Sequence, residues 1–155
     1  MPSTRQFPFL IDPNNGKQLY ESDDIINYLF TEYGDGQVPL SLRLGFLTTL
    51  TCGLGLAPRA GKGGKYVPST VPEQPLTLWG YELSPFVVVV KEALSELELP
   101  YLQVTASRGS PKRQLLLEKR GTFQVPYLED PNQGVYLFES SAIVKYLYDT
   151  YAKKG

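Results

Sequence analysis

Apolar and polar positions over residues 75–151 switch between two periods, and each switch marks an element. Leu76-Thr-Leu-Trp-Gly80 is a short apolar run that predicts a strand ending at glycine. Val87, Val90, Leu94 and Leu97 then recur at helical spacing, and KEALSELE is rich in helix formers. A helix is predicted over 85–98, opened by Ser84 as N-cap with Pro85 at the first helical position and stopped before Pro100. Tyr101–Thr105 follows as a strand. Ser110-Pro111 repeats the cap-plus-proline signal for a second helix ending near Gly121. Val125–Glu129 is a third strand, Asp130-Pro-Asn-Gln-Gly134 has turn chemistry, and Val135–Phe138 is the returning strand. Ser140 begins a last helix with Ile143, Leu147 and Tyr151 on one stripe. The β-α-β start predicts a parallel pair with a right-handed crossover. The later hairpin adds an antiparallel strand. The expected domain is α/β (α+β in some schemes), a four-stranded mixed sheet flanked by three helices.

Part of this pattern occurs twice. Residues 7–33 and 125–151 align without a gap at a constant offset of 118 positions. Pro8/Pro126, Asp12/Asp130, Gly16/Gly134, Glu21/Glu139, Ser22/Ser140, Tyr28/Tyr146, Leu29/Leu147 and Tyr33/Tyr151 are among the identities. A duplicated structural unit accounts for this. The second copy has patterned sequence ahead of it from Pro75 to Gln124, whereas the first has only Met1 to Gln6. The expected organisation is a partial β-β-α unit over 1–34, a Gly/Pro-rich linker with a short helix near Leu40–Leu50 over 35–74, and a complete domain over 75–155. The half unit, a lone hairpin plus one helix, is marginal in water. It is expected to dock on the complete domain, to stay loosely folded, or to pair with another chain as a homodimer, and truncation of a longer parent is the favoured explanation.

Composition narrows the chemistry. The chain has 155 residues, a net charge of −1, no histidine and one cysteine, Cys52. Such a balance gives no global field for nucleic acid. Histidine-based general base catalysis is excluded, as are an internal disulfide and a zinc cluster, and no metal site is expected. The most apolar stretch, Leu40 to Ala57, contains Arg43 and three glycines and is too interrupted to span a membrane. Arg59, Lys62 and Lys65 read as a solvated basic connector, or else as a membrane-surface patch. No secretory or transit leader is visible in the polar Met1–Gln6 segment.

Three landmarks in order carry a resemblance. Ser84-Pro85-Phe86-Val87 lies between the first strand and first helix, Val125-Pro126-Tyr127-Leu128 opens the third strand, and Glu139-Ser140 opens the last helix. Together they resemble the thioredoxin-like fold of glutaredoxins and of the N-terminal domain of glutathione S-transferases, over Leu76 to Ala152. The whole layout resembles a plant, plastid-type family with two such domains in tandem, whose first domain carries a Cys-Pro-Phe/Tyr-Cys motif. This chain starts its first unit at the Val-Pro-x-Leu equivalent, Phe7-Pro8-Phe9-Leu10. The resemblance implies a plastid location; with no transit peptide visible, a cytoplasmic one is otherwise expected.

The resemblance implies glutathione, or another thiol peptide, as ligand or co-substrate. A cis Val125–Pro126 bond would turn the Val125 backbone outward to pair with an extended peptide; read without the family, Pro126 is as well a trans proline opening an edge strand. Glu139 and Ser140 at a helix N-terminus suit the ammonium and carboxylate of a γ-glutamyl end, or are a plain cap. Gln124 takes the place of a lysine that meets the glycyl carboxylate in some relatives, and Phe86 flanks the motif. Ser84 is the catalytic candidate. A serine cannot form a mixed disulfide, but its hydroxyl can donate to a ligand thiolate and lower that thiol's pKa, or it is simply an N-cap. Val87 replaces the resolving cysteine. Disulfide reduction therefore follows from family analogy alone, and weak glutathione transferase activity is the most expected of the chain, which ends where transferases continue into an all-helical domain. A structural or interaction domain with a vestigial site is the alternative.

Overall fold

The computed structural model describes residues 7–42 and 61–153. The chain divides into two compact units, Met1–Pro58 and Arg59–Gly155.

Unit 1 contains β1 (Leu10–Ile11), β2 (Gln18–Leu19) and α1 (Ser22–Tyr33), followed by a short 3₁₀ turn at Leu40–Leu42. The rest of the helix expected near Leu40–Leu50 lies outside the described residues. The strands pair antiparallel, with Leu10 opposite Leu19 and Ile11 opposite Gln18. The connecting turn needs a left-handed residue, which Gly16 supplies at φ 73°.

Unit 2 contains β3 (Leu76–Gly80), α2 (Pro85–Glu96), β4 (Tyr101–Thr105), α3 (Pro111–Arg120), β5 (Tyr127–Asp130), β6 (Val135–Phe138) and α4 (Ser140–Tyr151). The strand order is β4-β3-β5-β6. β3 runs parallel to β4, with Leu76 opposite Tyr101, and antiparallel to β5, with Leu78 opposite Leu128. β6 returns antiparallel to β5. This is the thioredoxin-like arrangement, and its mixed sheet and element order agree with the sequence pattern. Boundaries moved slightly. α2 ends at Glu96 because Glu98 turns left-handed, at φ 48°, and the Leu99 N–H closes the end on the Leu94 carbonyl, and β5 starts at Tyr127 rather than Val125.

The pleat sends alternate residues of β3 to opposite faces. Leu76 and Leu78 join Val87, Val90, Leu94, Leu97, Leu128, Ile143 and Leu147 in a core under α2 and α4. Trp79 and Tyr127 join Ala106 and Leu116 in a smaller core under α3. The backbone from Val67 to Thr70, read from sequence as linker, is hydrogen-bonded across this unit. Val67 N–H donates to the Glu96 carbonyl, Thr70 N–H to the Tyr151 carbonyl and Lys153 N–H to the Pro68 carbonyl, each at 2.8 Å.

Candidate functional site

The register of unit 2 gathers the candidate residues at one end of its sheet. Trp79, near the end of β3, pairs with Tyr127 at the start of β5, which pairs in turn with Phe138 at the end of β6. Chain leaving β3 reaches Ser84 and α2. Chain entering β5 brings Gln124, Val125 and Pro126. Chain leaving β6 passes through Glu139 into α4. Three connections thus converge at that edge, although only β5 and β6 are consecutive strands.

Close packing sets the approach to Ser84. A Cβ on Gly80 would stand 2.6 Å from Val87 Cγ2 and 2.8 Å from Cγ1. Only glycine lets the end of β3 lie so near the first turn of α2. Ser84 is the N-cap of α2 in an extended conformation and is buried, yet its side chain makes no cap hydrogen bond. Its carbonyl accepts from Val87 and Val88 N–H, both at 3.1 Å. Ser110 has the same sequence context and behaves differently: its Oγ accepts from Arg113 N–H at 3.2 Å. Of the two Ser-Pro starts, one spends its hydroxyl on capping and the other does not. Phe86, the next residue but one, is exposed.

The Val125–Pro126 peptide is cis, as is its counterpart Phe7–Pro8. Pro126 is buried and Val125 half-buried. Gln124 and Glu139, 15 positions apart in sequence, meet directly, with Gln124 Nε2 donating to Glu139 Oε1. The amide restrains the carboxylate beside the N-terminus of α4. Glu139 is itself the N-cap of that helix, at φ 66° and ψ 118°, and provides no side-chain cap. A non-glycine residue at positive φ is strained. Its carbonyl starts the helix by accepting from Ile143 N–H at 2.9 Å. Ser140 is the first helical residue and half-buried. Glu21 in unit 1 repeats the geometry at φ 28° and ψ 120°, so this backbone belongs to the repeated fold in both copies.

Three of the four basic residues of α3, Arg113, Lys119 and Arg120, are engaged. Arg113 donates to the Ala106 and Phe123 carbonyls at 3.4 and 3.2 Å. Lys119 pairs with Glu129 at 2.6 Å. Arg120 lies over the Tyr136 and Tyr127 rings at 4.4 and 5.1 Å.

The sequence reading also missed a buried acid. Asp130, at the end of β5, accepts from the hydroxyls of Tyr146 and Tyr151 and, at 2.8 Å, from Asn132 N–H. Asp12 repeats the network with Tyr28, Tyr33 and Asn14. The clue was present, since all the residues of one network recur in the other at the common offset. Burial pushes the Asp130 carboxyl up, but the two phenols and Asn132 together hold it below its ordinary value. Asp12 is held down to about 2, chiefly by Tyr28 and then Tyr33.

Among the described residues no group of three or more His, Cys, Asp or Glu side chains is placed to hold a metal ion, and no helix is long and apolar enough to cross a membrane. Cys52 lies outside the described residues.

The thioredoxin-like sheet thus carries a serine at the N-terminus of its first helix, a cis-proline before its third strand and a Glu-Ser start to its last helix. The family model described as "Glutathione S-transferase, N-terminal domain" matches residues 1–37 and 78–155, including both copies of the repeat, and the chain belongs to this family. Glutathione S-transferase GstB of Escherichia coli is 41% identical over 81 residues, which are 51% of this chain and 39% of GstB. The glutathione S-transferase-like protein OpS6 of Beauveria bassiana is 33% identical over 82 residues, 53% of this chain and 38% of OpS6. A glutathione transferase homologue from Drosophila mojavensis, solved with bound glutathione, is 31% identical with a TM-score of 0.44, over 48% of this chain and 34% of that one. The chain spans less than two fifths of the length of these curated relatives.

Proposed function

We propose that unit 2 binds glutathione or a related thiol peptide across the sheet end where Ser84, Val125 and Glu139 converge. The Val125 backbone pairs with the extended peptide in the manner of an added strand. Glu139, steadied by Gln124, takes the γ-glutamyl ammonium. Ser140 and the free N–H groups of α4 take the neighbouring carboxylate. Phe86 offers exposed apolar surface beside the thiol. The Ser84 hydroxyl donates to the ligand sulfur and favours its thiolate. The observation that carries the reading is the idle Ser84 side chain: it is buried at a helix N-terminus and not consumed by capping.

In this proposal chemistry stops at activating the ligand thiol. The protein forms no covalent bond to sulfur, and any transferase activity is weak. The plastid-type tandem parentage belongs to the same proposal, with a plastid location. Calorimetry with reduced glutathione tests it: saturable heat at millimolar or tighter affinity, lost in Ser140→Ala, is the expected result, and an absence of heat at high ligand concentration contradicts it.

One observation favours a second reading, an interaction domain with a vestigial site. In unit 1, Glu21 and Ser22 repeat the backbone geometry of Glu139 and Ser140, so this helix start belongs to the repeated fold itself and not to ligand binding alone.

A further inference from the structure

The strand order of unit 2 sets the connections at its ligand end in a row. Read across the sheet from β6 to β4, they are Glu139 after β6, Val125 before β5, Tyr81 to Ser84 after β3, and Ser107 to Ser110 after β4. β4 leaves at this end because it runs parallel to β3, with Gly80 opposite Thr105, and the Ala106 N–H donates to the Gly80 carbonyl at 2.8 Å. The first three connections carry the groups assigned to glutathione. The fourth borders a cleft of about 570 Å³ whose lining includes Arg108, Pro111, Arg113 and Phe123, within the size range of small-ligand pockets, about 300–1,000 Å³. Arg113 fixes its wall. It donates to the Ala106 and Phe123 carbonyls, and its guanidinium lies 5.8 Å from the Tyr81 and Phe123 ring centres. The cleft is thereby tied to the segment that leads to Ser84 and to the segment that leads to Val125.

On the reading of unit 2 as a thiol-peptide site, the direction of the ligand follows from this row. Its γ-glutamyl end lies at Glu139 and Ser140 and its cysteine beside Val125 and Ser84, so its glycyl end points toward the β4 side. Antiparallel pairing of the cysteine with Val125 places glycine opposite Gln124 and any following residue opposite Phe123, which lines the cleft. Gln124 brings no charge to a carboxylate, and its amide already donates to Glu139. Arg108 stands exposed at the cleft, and Phe123 is 44% exposed beside it. A glycine fills little of that space. We propose that the cleft is a subsite for a residue joined to the glycyl carboxyl, so that the ligand class is a γ-glutamyl-cysteinyl-glycyl peptide extended at its C-terminus. The added residue lays an aromatic side chain on Phe123, and its terminal carboxylate pairs with Arg108. This inference deepens the proposed function and rests on it.

Calorimetry on the full-length chain tests it by comparing glutathione, the tetrapeptide γ-Glu-Cys-Gly-Phe and the same tetrapeptide with a C-terminal amide. The tetrapeptide is expected to bind about fivefold tighter than glutathione, the scale of one exposed ion pair plus one aromatic contact. The amide should give back at least about twofold of that gain, which tests the carboxylate on the unchanged protein. Arg108→Gln should bring the ratio of the tetrapeptide and glutathione affinities toward one. A tetrapeptide that binds no tighter than glutathione would overturn the proposal and leave the glutathione reading standing. So would an equal fall for both ligands in Arg108→Gln, since the arginine would then meet the glycyl carboxylate itself. Heat from none of the peptides would remove the proposal together with the reading it rests on.

Discussion

Tyr146 donates its hydroxyl to Asp130 Oδ2 at 2.6 Å, tying the middle of α4 to the end of β5. Tyr151, near the end of the same helix, donates to the same oxygen. The helix that presents Ser140 and follows Glu139 is therefore fastened to the strand that follows Pro126 by a buried acid. Removing one phenol leaves the carboxylate with fewer donors in a buried place. Tyr146→Phe is expected to cost about 1–3 kcal/mol of unit 2 stability, in the range for a hydrogen bond to a charged group. Urea unfolding followed through Trp79 measures it, and an unchanged midpoint would remove the network from the account.

The same acids predict a pH dependence. Asp130 and Asp12 both have folded-state pKa values below the ordinary carboxylate value, for Asp12 about 2 against 3.8. A depressed pKa means that the folded state holds its proton less readily than the unfolded one. The stabilisation is therefore present in full above the unfolded value and disappears as pH falls through the folded value. For Asp12 that window runs from 3.8 down to about 2. Urea midpoints should hold between pH 7 and about 5 and fall steeply below about 4, and Asp130→Asn should flatten the part of the fall that reports on unit 2.

The two copies provide an internal comparison of burial. Leu147 is fully buried whereas Leu29 is 40% exposed. Leu147→Ala is expected to destabilise unit 2 by about 2–5 kcal/mol, through lost burial and the cavity left behind. Leu29→Ala should cost unit 1 less than about 1 kcal/mol, because a surface change away from a packed core costs little. Equal costs would show that the Leu29 face is as well covered as its counterpart.

Gly80 and Val87 set the position of Ser84, and they should couple. Gly80→Ala places a methyl group less than 3 Å from both Val87 methyl carbons. Overpacking of this kind costs about 1–3 kcal/mol. Combining it with Val87→Ala should cost less than the two single changes added together, since each relieves the other. Strict additivity in a double-mutant cycle would show that this contact does not govern the approach of β3 to α2.

Much of unit 2 was legible before any coordinates, and the reasons are local. Proline at the first turn and glycine beyond the last gave α3 its limits, and Gly121 adopts the left-handed conformation such an end requires. The period of Val87, Val90, Leu94 and Leu97 overrode the strand propensity of a valine run, and all four are buried. The unread features depend on contacts that only the folded arrangement creates. Gln124 meets Glu139 only because β5 and β6 pair, and Arg113 turns inward only because Ala106 and Phe123 offer carbonyls on either side of α3. Nor could the sequence distinguish Ser84 from Ser110. Both precede proline at a helix start, and only the geometry shows which hydroxyl caps.

That distinction is open to measurement in stability. Ser110→Ala should cost about 1 kcal/mol, the usual loss of an N-cap side chain. Ser84→Ala should lie within about 0.5 kcal/mol of the parent, since no cap bond is removed. If the Ser84 variant loses as much as the Ser110 variant, its hydroxyl is structural.

The central claim is that the Ser84 hydroxyl serves the ligand's sulfur. Ultraviolet titration of the thiolate of glutathione bound at saturation tests it most directly, comparing the parent chain with Ser84→Ala. The account predicts that the bound thiol ionises at lower pH than free glutathione in the parent and returns toward the free value in the variant, with binding retained. A bound thiol that ionises at the free value in both proteins would contradict it.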